Sequence, residues 1–317
     1  MRPPKKIFFC IVVLVFGGSA LTILLISSDV YPFCQKDLFI LKRNSGDFLK
    51  LPEADCSMNT PFLVILVTSR LGETEARMAI RQSWGKERVI AEKRIVTYFL
   101  LGNNFRSYEQ IAVATENTLY KDIIQKDFLD TYYNLTLKTL MGLEWIHKFC
   151  PQSTFVMKTD SDMFVNTYYL TELLLKRNRT SRFFTGLLRM HDHPVRDPSS
   201  KWYVNEEEYP GNYYPPFASG TGYVLSTDVA SQIYVISKKV PFFKLEDVFI
   251  GLCLSELKIQ PGKLHSKPTF FSGHIPYSPC RYKKIITSHY TAPSHIMLYW
   301  DGLEKSIAEE CPESQEN

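Results

Sequence analysis

Thr154-Phe155-Val156-Met157-Lys158-Thr159-Asp160-Ser161-Asp162 is the stretch that decides the fold. Its first six residues read as a β-strand, and the strand runs straight into two carboxylates spaced two apart. Such a pair can hold a hard divalent cation. Mg²⁺ and Mn²⁺ take oxygen ligands and keep places for waters and substrate phosphates. The pattern alone is cheap, arising by chance about once per few hundred residues at ordinary charge content. Asp160 could equally cap a helix or a turn. A phosphatase-type nucleophile is disfavoured, because Lys158 and Thr159 interrupt the apolar strand before it.

Working outward, the body begins sharply at Pro61. Phe62 to Val67 is a continuous apolar run, as expected of a strand covered on both faces. Glu73 to Trp84 reads as a helix, Ile95 to Leu101 as a strand and Ser107 to Leu119 as a polar helix. Asp122 to Gln125 reads as a short strand. Leu135 to Phe149 reads as a helix with Leu137, Leu140, Met141 and Trp145 on one face. Strands alternating with helices predict an α/β fold, a Rossmann-like, mostly parallel sheet with helices on both faces. Ligands of such sheets bind beyond the carboxyl ends of the strands, where Asp160 and Asp162 fall.

The N-terminus differs in kind. Ile7 to Ile26 is a run of 20 uncharged residues. That is long enough to cross the roughly 30 Å hydrocarbon core and longer than the apolar region of a cleaved signal peptide. Arg2, Lys5 and Lys6 precede it, so the positive-inside bias predicts a cytosolic tail over 1–6 and a transmembrane signal anchor over 7–26. Residues 27–55, with Pro32, Asn44-Ser45-Gly46 and Pro52, read as a luminal stem, and 56–317 as the luminal body.

Cys10 lies in the expected span. The other six cysteines form no CxxC, which disfavours zinc ribbons and redox motifs. They suit disulfides in an oxidising compartment, although six allow 15 pairings. Asn134-Leu135-Thr136 and Asn178-Arg179-Thr180 are glycosylation sequons. The net charge is +4 with Lys and Arg spread along the chain, which excludes a clustered nucleic-acid face.

Further residues could carry chemistry. Asp247 in Glu246-Asp247-Val248 could act as a general base, or the two acids could simply start a solvated helix. Ser219-Gly220-Thr221-Gly222-Tyr223 reads as a flexible turn feeding a strand, whose glycines let backbone approach a substrate. Arg77 and Arg81 share a helix face and could grip a diphosphate or pair with acids. Trp84 and Tyr132-Tyr133 could stack on a sugar or uracil, or pack in the core.

Together these pieces resemble the β-1,3-glycosyltransferase family. Arg77 to Gly85 resembles its arginine-rich first motif, Asp127 to Thr139 its second and Lys158 to Asp162 its metal motif. Ser219 to Tyr223 and Glu246 to Gly251 resemble its acceptor-side motifs. The resemblance implies a GT-A fold, UDP-sugar donors, Mn²⁺ and a Golgi membrane protein of single-pass type II topology. Carried over by position, Asp162 and His289 would ligate the metal, and Asp160 would hold the donor ribose or support the site. Arg77, Arg81 and Lys158 would lie near the nucleotide, and Asp247 would be the base. Glu246, Gly220, Gly222 and Trp84 would face the acceptor. The implied reaction is inverting transfer of galactose from UDP-galactose to the 3-hydroxyl of a terminal sugar such as GlcNAc on a protein or lipid glycan. Transfer of N-acetylglucosamine, or an inactive carbohydrate-binding protein, are the alternatives. Two departures stand out: Ala218 and Ser288 occupy positions where members of the family carry Cys.

Overall fold

The computed structural model describes residues 47–53, 56–104, 106–177 and 179–311. The expected span 7–26, the tail before it and Asn178 lie outside these residues. Among the described residues no helix is long and apolar enough to cross a membrane.

Four parallel strands form the centre: β2 (Leu63–Thr68), β4 (Lys93–Asn103), β5 (Ile123–Leu129) and β6 (Phe155–Asp160). Their order in space is β5-β4-β2-β6. The links between them run through α1 (Thr74–Arg81), α2 (Ser107–Tyr120) and α3 (Leu135–Phe149). The reading of these elements holds within a few residues.

The sheet departs from the expected mostly parallel form at both edges. β1 (Phe48–Lys50) pairs antiparallel with β5, so the fold reaches back into the segment expected to be stem. β3 (Arg88–Ile90) pairs antiparallel with β4. Beyond β6, β9 (Phe217–Ser226) and β8 (Phe184–Arg189) both add antiparallel, which makes the sheet mixed. The Ser219–Tyr223 stretch expected to be a turn therefore lies inside β9. Tyr223 pairs with both β6 and β8 and Gly222 with β6, while the β8 register is irregular between Tyr223 and Ala218.

The apolar run of β2 splits by the two-residue period of a strand. Val64 and Leu66 join the cluster on one face, with Leu100, Trp145 and Val229. Leu63, Ile65 and Val67 join the opposite cluster, with Ile80, Phe99 and Trp300. Both faces are covered, which is why the run is continuous. α3 lies tight on the sheet at Gly142, where an added Cβ would stand 2.8 Å from Leu100 and 2.9 Å from Leu66. Only glycine allows that approach.

Four later helices complete the described structure's longer elements: α4 (Thr167–Lys176), α5 (Thr227–Ile236), α6 (Glu246–Glu256) and, after the short α7 (Pro279–Tyr282), α8 (Pro293–Ser306). Disulfides join Cys56 to Cys150 and Cys280 to Cys311, and Cys253 is a buried free thiol. The second bridge ties α7 to the chain just after α8. The two-stranded ribbon of β7 (Phe164–Val165) with β10 (Thr287–Ser288) carries the C-terminal segment back to the end of β6.

Candidate active site

The carboxyl ends of β2, β4, β5 and β6 share one edge, and the site is built there. In-register pairing sets Thr68 opposite Asp160, and the Thr68 hydroxyl donates to Asp160 Oδ1 at 2.6 Å. Lys158 Nζ donates to the same oxygen at 2.7 Å and also to the Gly220 carbonyl, and it lies 3.7 Å from Glu246 Oε2. Burial alone would lower this ammonium's pKa. The carboxylates of Asp160, Glu246 and Asp247 outweigh that and raise it. Lys158 is thus a fixed internal cation. The expectation that it contacts the nucleotide is corrected: its ammonium is enclosed and already partnered.

Glu246 and Asp247 open α6. Glu246 is only 5% exposed, and its Oε1 accepts from Tyr223 Oη at 2.6 Å. It braces Lys158 and Tyr223 from inside and does not face an acceptor, which corrects that expectation. Asp247 Oδ2 accepts from the Gly220 N–H at 3.2 Å and Oδ1 from the Val248 N–H at 2.9 Å. Burial pushes its pKa up, partly offset by those hydrogen bonds and by the Lys158 charge. Neither acid is a solvated helix start. Gly220 is the point of closest approach, since an added Cβ would lie 3.1 Å from Glu246 Oε2 and 3.6 Å from Asp247 Oδ2. Gly222 lies further along β9, beside Thr159 and Thr287.

The ribbon of β7 and β10 brings His289 to Asp162. Asp162 Oδ2 lies 3.2 Å from His289 Nε2, and His289 Nδ1 meets the Ser272 carbonyl at 2.9 Å. Burial opposes charge on both side chains. Their mutual hydrogen bond still holds Asp162 below and His289 above the ordinary range. The Thr291 N–H also bonds the Asp162 carbonyl at 2.9 Å. Two side chains 127 positions apart in sequence thus meet at one edge. Ser288, next to His289, is buried, and its hydroxyl takes hydrogen bonds from Tyr282 Oη at 3.0 Å and the Ile275 N–H at 3.3 Å.

Beside these groups lies a cavity of about 450 Å³, lined among others by Arg70, Gly72, Glu73, Asn104, Arg106 and Asp130. It sits beyond the ends of β2, β4 and β5. Arg70 is exposed, pairs with Glu73 at 2.8 Å and feels the charges of Asp130 and Asp162. Glu73 Oε2 in turn accepts from the Ser161 hydroxyl at 2.7 Å. Sequence reading missed Arg70, Glu73 and Asn104. The one available signal was their place just after strands β2 and β4.

The two arginines of the first motif do not face this cavity. Arg77 is fully buried. Its guanidinium donates to Glu116 at 2.6 and 2.8 Å, to the Arg70 and Leu71 carbonyls at 2.6 and 3.0 Å, and to Ser69 Oγ at 3.1 Å. It holds the β2–α1 loop from behind. Arg81 bonds Asp122 at 2.8 and 2.9 Å and Glu116 at 2.7 Å, near the amino end of β5. Both expectations of nucleotide contact are corrected, because every donor edge is committed inside the fold.

Trp84 is fully buried and donates from Nε1 to the Met163 carbonyl at 3.1 Å, so it is core and not acceptor surface. Asn134 is also buried. Its Nδ2 donates to the Leu129 carbonyl at 2.8 Å, and the sequon's Thr136 hydroxyl bonds the Phe243 carbonyl at 2.8 Å. A glycan on Nδ2 is incompatible with this structure, and that expectation is corrected.

A mixed α/β sheet with carboxylates, a braced lysine and an adjacent polar cavity at the strand ends defines a glycosyltransferase when set beside the known proteins that the chain matches. The chain belongs to the galactosyltransferase family, whose model matches residues 75–265. It is 54% identical over 312 residues to "Beta-1,3-galactosyltransferase 5" of Homo sapiens, covering 98% of this chain and 99% of that protein. The protein of the same name from Mus musculus is 54% identical over 274 residues, covering 86% and 89%. Among solved structures, the galactosyltransferase LgtC with donor and acceptor sugar analogs is 12% identical, with a TM-score of 0.38 over 79% of this chain and 98% of that one.

Proposed function

We propose that this enzyme transfers galactose from UDP-galactose to the 3-hydroxyl of a terminal GlcNAc on protein or lipid glycans, forming a β-1,3 linkage. The reading extends to a GT-A-type fold in the Golgi lumen, anchored through residues 7–26. The relatives' names support galactose and the linkage. The single observation that carries the chemistry is Asp247: a half-buried carboxylate with raised pKa, held by two backbone N–H groups at the active edge.

Asp247 takes the proton of the acceptor hydroxyl as that oxygen attacks the anomeric carbon. The bond to UDP breaks on the opposite face, so an α-linked donor gives a β-linked product in one displacement. A single placed base suffices, and no covalent enzyme intermediate is needed. Gly220 keeps the approach to the carboxylate clear. Lys158 and Glu246 fix the positions of Asp160 and Gly220 around it.

The metal question turns on Asp162 and His289. Among the described residues no cluster of three or more His, Cys, Asp or Glu could hold a metal ion. The pair nevertheless fits one that arrives with a diphosphate. His289 is anchored through Nδ1 on a backbone carbonyl, which leaves Nε2 facing a half-exposed carboxylate. That is the usual anchoring of a ligating histidine. Such cations complete their shell with water and substrate phosphate oxygens. Asp162 and His289 would hold Mn²⁺, which when bound neutralises negative charge on the departing UDP.

The test incubates the full-length chain with Mn²⁺, UDP-galactose, competing UDP-N-acetylglucosamine and GlcNAc-terminated acceptors. Galactose β-1,3-linked to GlcNAc is the expected product. Transfer of N-acetylglucosamine alone, or of no sugar, overturns the reading.

A further inference from the structure

We propose that Tyr132 and Trp202 form a stacking subsite for the second sugar of an extended acceptor glycan, the residue that bears the terminal GlcNAc. This rests on the proposed transfer reaction. Tyr132 and Trp202 are 42% and 51% exposed, unlike most large aromatics of the fold. They come from distant segments, yet Trp202 Nε1 donates to Tyr132 Oη at 3.0 Å. Lys201 Nζ lies 5.4 Å from the Tyr132 ring centroid and 4.8 Å from that of Trp202. The two rings are thus held to one another by a hydrogen bond and a shared cation. A rigid aromatic surface loses little freedom on binding, which favours recognition. The apolar C–H face of a pyranose suits such a ring, and the ammonium can donate to a sugar hydroxyl.

Its position argues for the acceptor and against the nucleobase. Asp130 lines the polar cavity, while Tyr132 lies two residues on, past the end of β5. Burial raises the Tyr132 phenol's pKa, and the negative charges of Asp247 and Asp160 raise it further. Both halves are tied to the start of α6. Lys244, three residues before Asp247, bonds Glu208 at 2.9 and 3.0 Å and lies 6.0 Å from the Tyr133 ring and 5.7 Å from the Tyr203 ring. The Trp202 segment is itself fixed: Trp202 N bonds Ser200 Oγ at 3.1 Å, and Val204 N bonds the Val195 carbonyl at 2.9 Å. A glycan whose terminal 3-hydroxyl meets Asp247 would extend its next residue over this pair.

The experiment compares the methyl β-glycoside of GlcNAc with a GlcNAc-terminated trisaccharide as acceptors for the full-length chain and for Trp202→Ala. The trisaccharide KM should rise at least about fivefold, the size of a lost interface anchor. The KM values for the monosaccharide and for UDP-galactose should stay unchanged. Trp202→Phe, which keeps a ring but loses the indole donor, should fall between. An equal change for both acceptors, or none for either, overturns the subsite. Saturation-transfer NMR of the trisaccharide in the presence of UDP reads binding without turnover. Contact at the penultimate sugar in the parent, lost in Trp202→Ala, supports the subsite, and no such contact overturns it. If the parent transfers nothing from UDP-galactose, the transfer reading fails while the NMR result still decides the subsite.

Discussion

Lys158 Nζ stands 2.7 Å from Asp160 Oδ1 inside the sheet edge, where the ammonium is buried and the carboxylate half-exposed. The same ammonium reaches the Gly220 carbonyl and faces Glu246, so one cation holds β6, β9 and the start of α6 together. Lys158→Met leaves the buried Glu246 and the half-exposed Asp160 without their counter-charge. Breaking a buried pair from one side costs about 3–5 kcal/mol. Chemical denaturation should show a loss of that size, and Lys158→Arg should not restore it, because a planar fork does not fit a point-charge site. A loss below about 1 kcal/mol, typical of a surface pair, would contradict the bracing role.

The pH dependence of transfer follows from Asp247. The base works ionised, and burial raises its pKa above the ordinary aspartate range. Activity should therefore fall as pH drops through that raised value, at higher pH than an exposed aspartate would set. Lys158 lowers the Asp247 pKa. In any Lys158→Met protein that folds, the acid limb should move to higher pH. A limb that stays in place or moves down would argue against Asp247 as the titrating group.

Arg77 and Glu116 make a stability prediction that rests on a pKa shift in the opposite direction. Burial works to raise the Glu116 pKa, but the hydrogen bonds and charges of Arg77 and Arg81 outweigh it and leave it lowered. Glu116 is thus more acidic folded than unfolded. Its contribution is present above the ordinary glutamate range and drains away as pH falls through the lowered value. Unfolding free energy measured against pH should slope through that acid window, and Glu116→Gln should flatten the slope. Arg77→Ala should cost about 3–5 kcal/mol and also raise the donor KM, because Arg77 holds the loop that lines the cavity.

How far the sequence foretold this differs by element. The central strands and helices were legible because each carries its own period and length. β1 was not, since three residues at an edge gain their structure only by pairing with β5. β9 misled because Ser-Gly-Thr-Gly has turn chemistry, while its strand state comes from neighbours far away in sequence. Asp162 and Asp247 were candidates from their local sequence, His289 came only through the resemblance, and the structure brings Asp162 and His289 together and fixes Asp247. Arg77, Arg81, Lys158 and Trp84 were misplaced for one reason. A charged or aromatic side chain in a motif gives no sign of whether it points into the cavity or braces the wall behind it. Arg70 and Glu73 were passed over because only the packing of the β2–α1 loop brings them to the site.

The Cys280–Cys311 bridge closes the C-terminal segment that carries His289. Loop-closure entropy for a separation of 31 residues gives about 3–4 kcal/mol. Cys311→Ser should lower the unfolding free energy by an amount of that order and raise the Mn²⁺ concentration needed for half-maximal transfer. Unchanged Mn²⁺ dependence would show that the ribbon of β7 and β10 positions His289 without the bridge.

The central claim is that Asp247 is the base, and one measurement addresses it most directly: the rate of galactose transfer at saturating donor and acceptor by Asp247→Asn. The substitution keeps the size of the side chain and the oxygen that accepts from Gly220 or Val248, so the fold should persist, as circular dichroism would register. The account predicts a fall in kcat of about 10²–10⁴-fold with the donor KM little changed. Transfer at the parent rate by the folded variant would contradict it.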